Sequence, residues 1–165
     1  MINFYQFIIG DYSLQLTIGH LSYIGNISAN LINLKTGEKI TSGVMLPLHK
    51  FDLDLNPEKP SEIILNEKGI SISFIVKEEE RILTYKAKQL DVELHIKNKI
   101  DNDKMVISTG FDNPKQFYLN YKENYYYVSG KISTGSNKFD FNDATGLIDW
   151  GRGKWPYSHK WVWGN

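Results

Sequence analysis

Hydrophobic and polar residues alternate one by one along several stretches of the chain. The alternation is clearest at residues 14–18, 70–76 and 90–96. Because successive strand residues point to opposite faces of a sheet, each stretch has one apolar side and one polar side. This pattern is typical of antiparallel sheets that rest one face on a core and turn the other to water.

Turn-forming and charged residues separate the alternating stretches. Turns are predicted at residues 35–38, 66–69, 78–81, 101–104 and 122–124. Residues 56–60 are predicted to form a loop, because two prolines fix φ and remove backbone donors. No long window carries the apolar stripe of a helix. The pattern therefore predicts an all-β fold, an antiparallel β-barrel or strongly bent β-sandwich, in a single domain over residues 1–165.

Composition and charge exclude several classes of protein. The chain has 19 basic and 19 acidic residues, and this zero net charge argues against a nucleic-acid-binding protein. It has no cysteine, which removes disulfides, thiolate nucleophiles and cysteine-bound zinc. The four histidines are far apart and form no local metal motif, and no phosphate-binding glycine loop occurs. We therefore expect no metal and no cofactor.

The start of the chain carries no targeting signal that can be read from its sequence. It lacks the basic segment of a secretory signal, and the absence of cysteine is compatible with a reducing compartment. No apolar run approaches the ~18 residues of a membrane-spanning helix. A cytoplasmic protein without a membrane span is the resulting expectation.

The unusual feature is an aromatic C-terminal segment that holds every tryptophan of the chain. These residues are Trp150, Trp155, Trp161 and Trp163. Polar residues accompany them, namely Asp149, Arg152, Tyr157 and His159. In one interpretation the indole rings wall an apolar cavity in which the polar groups converge on a small molecule. In the other, the tryptophans are core and the acidic and basic residues form a structural ion pair.

Glycines flank Arg152 on both sides and permit an irregular backbone there. Residues three apart on a strand face opposite sides, so an ion pair between Asp149 and Arg152 requires a bend. We predict this bend at Gly151, with Arg152 directed inward to stack among aromatic rings.

A run of three tyrosines precedes the aromatic segment. On a regular strand Tyr126 would lie on one face, and Tyr125 and Tyr127 on the other. The simpler interpretation is a barrel wall, because tyrosine suits a half-buried sheet surface. The functional alternative is that Tyr127 lines a ligand pocket.

The string from Leu147 to Tyr157, followed by Trp161-Val162-Trp163, resembles the signature of an uncharacterised bacterial family, the domain of unknown function 2804. The resemblance also covers residues 5–25, 121–122 and 128–131. The family is similar in architecture to double lipocalin-like barrel proteins such as carotenoid hydratases, tocopherol cyclases and AttH-like proteins. It implies a lipocalin-like barrel around an apolar interior and assigns no activity.

Members of that family are longer and carry a second β-rich half. The resemblance therefore implies that this chain covers only the first part of the family's length. A chain that lacks its other half would leave apolar surface uncovered near the tryptophans. Self-association, or pairing with the second half, is the expected consequence.

Three hypotheses about function follow. The first is a protein that binds a small hydrophobic or amphipathic molecule. In its enzyme form, this protein would also hydrate, cyclise or isomerise the bound molecule by acid–base chemistry. Asp149 or His159 would then transfer a proton, and Arg152 would hold an anionic or carbonyl group. The second is a carbohydrate-binding module in which Trp and Tyr faces stack on sugar rings. The third is a structural or interaction domain that uses the Trp-rich segment as a packing seam. The proposed ligand-binding residues are Trp150, Arg152, Trp155, Tyr157, Trp161, Trp163 and Tyr127.

Overall fold

The structure is a computed structural model that describes residues 1–53, 56–98, 102–135, 137–160 and 162. Within these ranges the chain forms strands, turns and loops, without any helix, and so without a helix that could cross a membrane. The strands are β1 (Ile2–Ile9), β2 (Tyr12–Leu21), β3 (Ile24–Asn33), β4 (Lys39–Pro47), β5 (Ser61–Glu67), β6 (Ile70–Val76), β7 (Glu80–Ala87), β8 (Leu90–Lys97), β9 (Lys104–Gly110), β10 (Phe117–Thr134) and β11 (Lys138–Lys154).

All the strands belong to one antiparallel sheet that curls into a nearly closed barrel. The strand order is β4-β3-β2-β1-β11-β10-β8-β7-β6-β5, and β9 pairs with β10 outside this path. The Tyr85 hydroxyl on β7 donates a hydrogen bond to Ser42 Oγ on β4 at 2.6 Å, which joins two strands that are not neighbours in the sheet. The predicted all-β antiparallel barrel is confirmed.

Alternate residues of each strand point into the barrel, and large side chains at these positions fill its interior. Tyr5, Phe7 and Phe74 are completely buried, and Tyr125 is almost so. The Tyr5 ring meets the Phe74 ring edge to face at 5.0 Å between centroids. Such pairs add about 0.5–1.5 kcal/mol beyond the area they bury. The middle of the barrel is therefore a packed aromatic core.

Several predicted turns are confirmed, one is wrong, and the turn predicted at residues 78–81 ends where β7 begins at Glu80. Chain reversals occur at residues 35–38 and 66–69, and residues 57–60 form turns and bends within the predicted loop. The turn predicted at residues 122–124 does not exist, because β10 runs unbroken from Phe117 to Thr134. Lys122 and Glu123 are buried, and each forms an ion pair. Arg81, predicted to lie in a solvated turn, is only 3% exposed and belongs to β7.

The long strand β10 changes partners along its length. Its first half pairs with β9, and its second half pairs with β8. Register shifts against β11 fall between Tyr125, Val128 and Gly130. As a result Tyr125 and Val128 are buried, whereas Tyr127 is 51% exposed. Tyr125 and Tyr127 therefore do not share an environment, contrary to the regular alternation predicted for this run.

One end of the barrel, called the mouth here, is the end at which Met1 and Arg152 lie. The connection from β4 to β5 packs into this end through three buried residues, Phe51, Leu53 and Pro57. Phe51 lies against Gly25, where an added Cβ would stand 2.8 Å from the ring. Beyond the mouth, β9, the first half of β10 and the end of β11 extend the sheet past the start of β1.

The close pairing of β8 and β10 can be tested at Gly130. A Cβ added there would lie 2.2 Å from the carbonyl oxygen of Glu93, so a strand must shift. We expect Gly130→Ala to lower the free energy of unfolding by about 1–3 kcal/mol in urea denaturation, the usual cost of overpacking. The control is Gly110→Ala on β9, where no atom lies within 4 Å, and we expect less than about 0.5 kcal/mol. Equal unfolding midpoints for the two variants would contradict the β8–β10 register.

Candidate functional site

The signature residues lie on β11 and alternate between two environments. Asp149, Gly151 and Gly153 face the outer surface of the sheet, whereas Trp150 and Arg152 face inward, as the two-residue strand period requires. The register with β10 is continuous from Phe117↔Lys154 to Tyr125↔Gly146. The predicted bend at Gly151 and the predicted Asp149–Arg152 ion pair are therefore wrong. Unbroken strand pairing keeps these two side chains on opposite faces.

Asp149 is held instead by two residues of the neighbouring strand. Lys122 Nζ lies 3.1 Å from Asp149 Oδ2, and the two side chains are 10% and 12% exposed. The Asn120 side-chain amide donates to Asp149 Oδ1 at 2.6 Å and to the backbone carbonyl of Trp150 at 2.8 Å. Both carboxylate oxygens are thus occupied. The group fixes the β10–β11 pairing on the outer face of the sheet.

Gly151 makes room for an aromatic ring, and Gly153 makes room for the backbone of β10. A Cβ on Gly151 would lie 2.7 Å from the Tyr118 hydroxyl, and one on Gly153 would lie 2.3 Å from the Phe117 carbonyl oxygen. Tyr118 packs edge to face on Trp155 at 4.8 Å between ring centroids. Burial, and secondly the charge of Asp149, raise the pKa of Tyr118. The glycines therefore allow an aromatic layer to lie directly on β11.

The polar residues predicted to converge are separated in the structure. Tyr157 is fully exposed, and His159 is exposed with its ring 5.0 Å from that of Trp155. Asp149 lies on the outer face, and Arg152 lies at the mouth. Trp161 and Trp163 lie outside the described residues. The structure thus brings Trp155 and His159 together but does not join them to Arg152.

Arg152 borders an open recess of about 460 Å³ at the mouth. The recess is lined by Met1, Asp52, Leu53, Phe117, Arg152, Gly153 and Lys154. Partial burial, and secondly the charge of Arg152, lower the pKa of the Met1 amine, which donates to the His20 carbonyl at 2.8 Å. The recess therefore combines two cationic side chains with one carboxylate and three apolar side chains, those of Met1, Leu53 and Phe117.

A buried ion pair occupies the barrel interior behind the mouth. Arg81 Nη2 lies 3.0 Å from Glu123 Oε2, and the side chains are only 4% and 2% exposed. Glu123 also accepts hydrogen bonds from the hydroxyls of Tyr121 and Tyr125 and from the Asn102 amide, at 2.7, 3.2 and 2.9 Å. With four donors around it, Glu123 is a fully satisfied carboxylate.

Arg81 is held from its other side by neutral acceptors. Its guanidinium donates to the Pro57 carbonyl at 2.6 Å and to Asn98 Oδ1 at 3.1 Å. Burial alone would lower the pKa of Arg81, but Tyr5, Tyr125 and Glu123 outweigh burial and raise it above its ordinary value. Burial, then the hydrogen bond and charge of Glu123, raise the pKa of Tyr121. The phenols therefore stay protonated and donate, and Arg81 stays charged.

Five buried polar atoms of the described residues have no hydrogen-bond partner. They are Asn3 Nδ2 and Oδ1, Tyr5 Oη, Arg81 Nη1 and Trp150 Nε1. Asn3 and Trp150 are direct register partners on β1 and β11. Tyr5 lies close enough to Arg81 for each to influence the pKa of the other. An unpartnered buried group costs about 1–3 kcal/mol, so such groups usually meet water or a ligand.

The prediction from sequence missed the interior polar residues, although a signal for them exists. Arg81 precedes Leu83 and Tyr85 in strict alternation, and Glu123 stands between Tyr121 and Tyr125. A charged residue at an inward position of an aromatic strand is the signal for a buried ion pair. No group of three histidine or carboxylate side chains in the described ranges is placed to hold a metal ion.

The buried ion pair predicts that replacing Arg81 lowers the stability of the protein strongly, whereas replacing Arg152 does not. Arg81→Ala leaves Glu123 as an uncompensated buried charge, so we expect a loss of about 3–5 kcal/mol in the free energy of unfolding. Arg152→Ala is the matched control, because Arg152 is exposed, and it should change the stability by less than about 0.5 kcal/mol. Urea denaturation of both variants measures the difference. An Arg81→Ala protein as stable as the parent would show that Glu123 does not depend on this pair.

Comparison with known proteins gives a family but no characterised relative. Neither the curated proteins nor the solved structures contain a match to this chain. A family described as Domain of unknown function (DUF2804) matches residues 2–165, and this is the family that the signature on β11 resembles. The chain belongs to the DUF2804 family.

Proposed function

We propose that this protein binds a small amphipathic anion in the recess at the mouth of the barrel. The observation that carries the proposal is the pairing of cationic and apolar side chains around one opening. Arg152 and Lys154 lie beside Leu53 and Phe117 in the lining. An anionic group would bind the guanidinium, whose fork suits carboxylates and sulfonates, and an apolar body would cover the two hydrophobic side chains.

Two further features support an anionic ligand. Among the described residues, Arg152 and Lys154 form no salt bridge, and Asp52 is the single carboxylate that the described lining of the recess sets against their two charges. Phe117 is 40% exposed at the same opening, which leaves apolar surface for a ligand to cover.

Binding without chemistry is better supported than catalysis. Neither Asp149 nor His159, the two candidates for proton transfer, lines the recess. Asp149 is engaged by Lys122 and Asn120 on the other face of β11. Binding of sugars on tryptophan platforms has less support, because Trp150 is 6% exposed and the Trp155 ring is packed by Tyr118 and His159.

A pair of fluorescent probes tests the proposal. 8-Anilinonaphthalene-1-sulfonate carries an anionic group, and N-phenyl-1-naphthylamine has the same apolar body without it. We expect the sulfonate to bind saturably and the double variant Arg152→Ala/Lys154→Ala to weaken it roughly tenfold or more, since charge-assisted hydrogen bonds contribute about 1.5–3 kcal/mol. Binding of the neutral probe should change little.

Lys39→Ala provides the matched control for charge. Lys39 is exposed on β4 at the end of the barrel opposite the mouth, so its removal should leave both titrations unchanged. If the sulfonate binds no better than the neutral probe, and the double variant binds it as well as the parent does, the recess is not an anion site.

A further inference from the structure

We infer that the ligand of the recess carries a second oxygen, a hydroxyl or a carbonyl, that hydrogen-bonds to Trp150 and Asn3. This inference rests on the proposed function, because the anionic group is taken to lie at Arg152. It assigns a chemical class to the ligand: a small anion with an oxygen function a fixed distance from its charged end.

The two strands that border the recess lead directly to unpartnered polar atoms. On β11, Arg152 lines the recess and Trp150 is the next residue inward on the same face. Beside it, Met1 lines the recess and Asn3 is the next residue on that face of β1. Two strand residues span about 6.6 Å along the backbone, so the Cα atoms of Arg152 and Trp150 lie about that far apart and the two polar subsites are neighbours.

The unpartnered atoms define what the second group must offer. Trp150 Nε1 can only donate, whereas the Asn3 amide both donates and accepts. A hydroxyl oxygen can accept from the indole and donate to Asn3 Oδ1, and a carbonyl oxygen can accept from either donor. An apolar group would leave all three atoms unsatisfied. A site built in this way rejects the analogue that lacks the oxygen, because its own buried groups then stay unpaired.

The polar lining continues one pleat deeper. Tyr5 follows Asn3 on the same face of β1, and its hydroxyl lies beside the guanidinium of Arg81. These atoms lie against the packed aromatic core, where Tyr5 contacts Phe74 and Tyr125. The row formed by Asn3 and Trp150 is therefore the first set of unpartnered polar groups that a ligand entering from the recess would meet.

Two benzoates of nearly equal size test the inference on the full chain. 4-Hydroxybenzoate places an oxygen across the ring from its carboxylate, and 4-methylbenzoate places a methyl group at the same position. We expect the hydroxyl compound to bind at least roughly tenfold more tightly. In ¹⁵N-labelled protein the Trp150 indole N–H resonance, assigned by its loss in Trp150→Phe, should shift with the hydroxyl compound and stay in place with the methyl compound.

Asn3→Leu gives an independent variant that removes both unpartnered amide atoms at similar size. Because it deletes unsatisfied polar atoms from a buried position, we expect the variant to fold and to melt no lower than the parent. Its preference for the hydroxyl compound should fall to within roughly threefold, while binding of 8-anilinonaphthalene-1-sulfonate at Arg152 is retained.

The possible failures are distinguishable. Equal affinity for the two benzoates with an unmoved Trp150 signal, or binding of neither at millimolar concentration while the sulfonate probe binds, would overturn the inference alone. Internal water would then form the hydrogen bonds to the buried polar atoms of Asn3 and Trp150. Loss of the Arg152-dependent binding of the sulfonate probe would instead overturn the proposed function on which the inference rests.

Discussion

The ion pair between Arg81 and Glu123 is the interaction on which the mouth of the barrel depends. Both charges are removed from water, and an uncompensated charge at this depth would be very costly. The pair is surrounded by hydrogen-bonding groups from two connections, namely Asn98 and Asn102 between β8 and β9 and the Pro57 carbonyl between β4 and β5. By holding these segments in place, it keeps the mouth end of the barrel closed on one side and leaves the recess at the ends of β10 and β11.

The opposite side of the mouth is set by the pairing of β10 with β11. Lys122 and Asn120 hold Asp149 on the outer face, and the glycines beside Arg152 let the two strands and their aromatic rings approach closely. Once Asp149 faces outward, the strand period turns Trp150 and Arg152 inward. The signature of the family thus acts on both faces at once. Its outward residues fix the register, and its inward residues form the recess and the polar row behind it.

The strands and the barrel could be predicted from sequence because the two-residue period is local and uninterrupted at residues 14–18, 70–74 and 90–96. The interior ion pair could not be predicted in this way, because a charged residue is expected to lie at the surface unless its buried partner is known. Arg81 and Glu123 are 42 residues apart, and only the folded topology brings them together. The same limit explains the wrong pairing of Asp149 with Arg152. Arg152 is the nearest basic residue to Asp149 in the sequence, but Lys122, its cross-strand neighbour, is the residue that pairs with it.

The packing of the barrel also limits what kind of ligand it can take. A barrel that encloses a large ligand needs an open interior, whereas Tyr5, Phe7, Phe74 and Tyr125 fill the middle of this one. A ligand that enters at Arg152 can therefore pass Trp150 only by displacing buried aromatic rings, at a cost that a small ligand does not recover. The unpartnered atoms favour binding, because a ligand oxygen that accepts from Trp150 and bonds to Asn3 removes the free-energy cost of leaving these buried groups unpaired. Binding of the proposed ligand at this shallow site should therefore stabilise the mouth. A molecule that binds only the folded barrel raises the free energy of unfolding, and at concentrations above the Kd this increase grows with the logarithm of the ligand concentration.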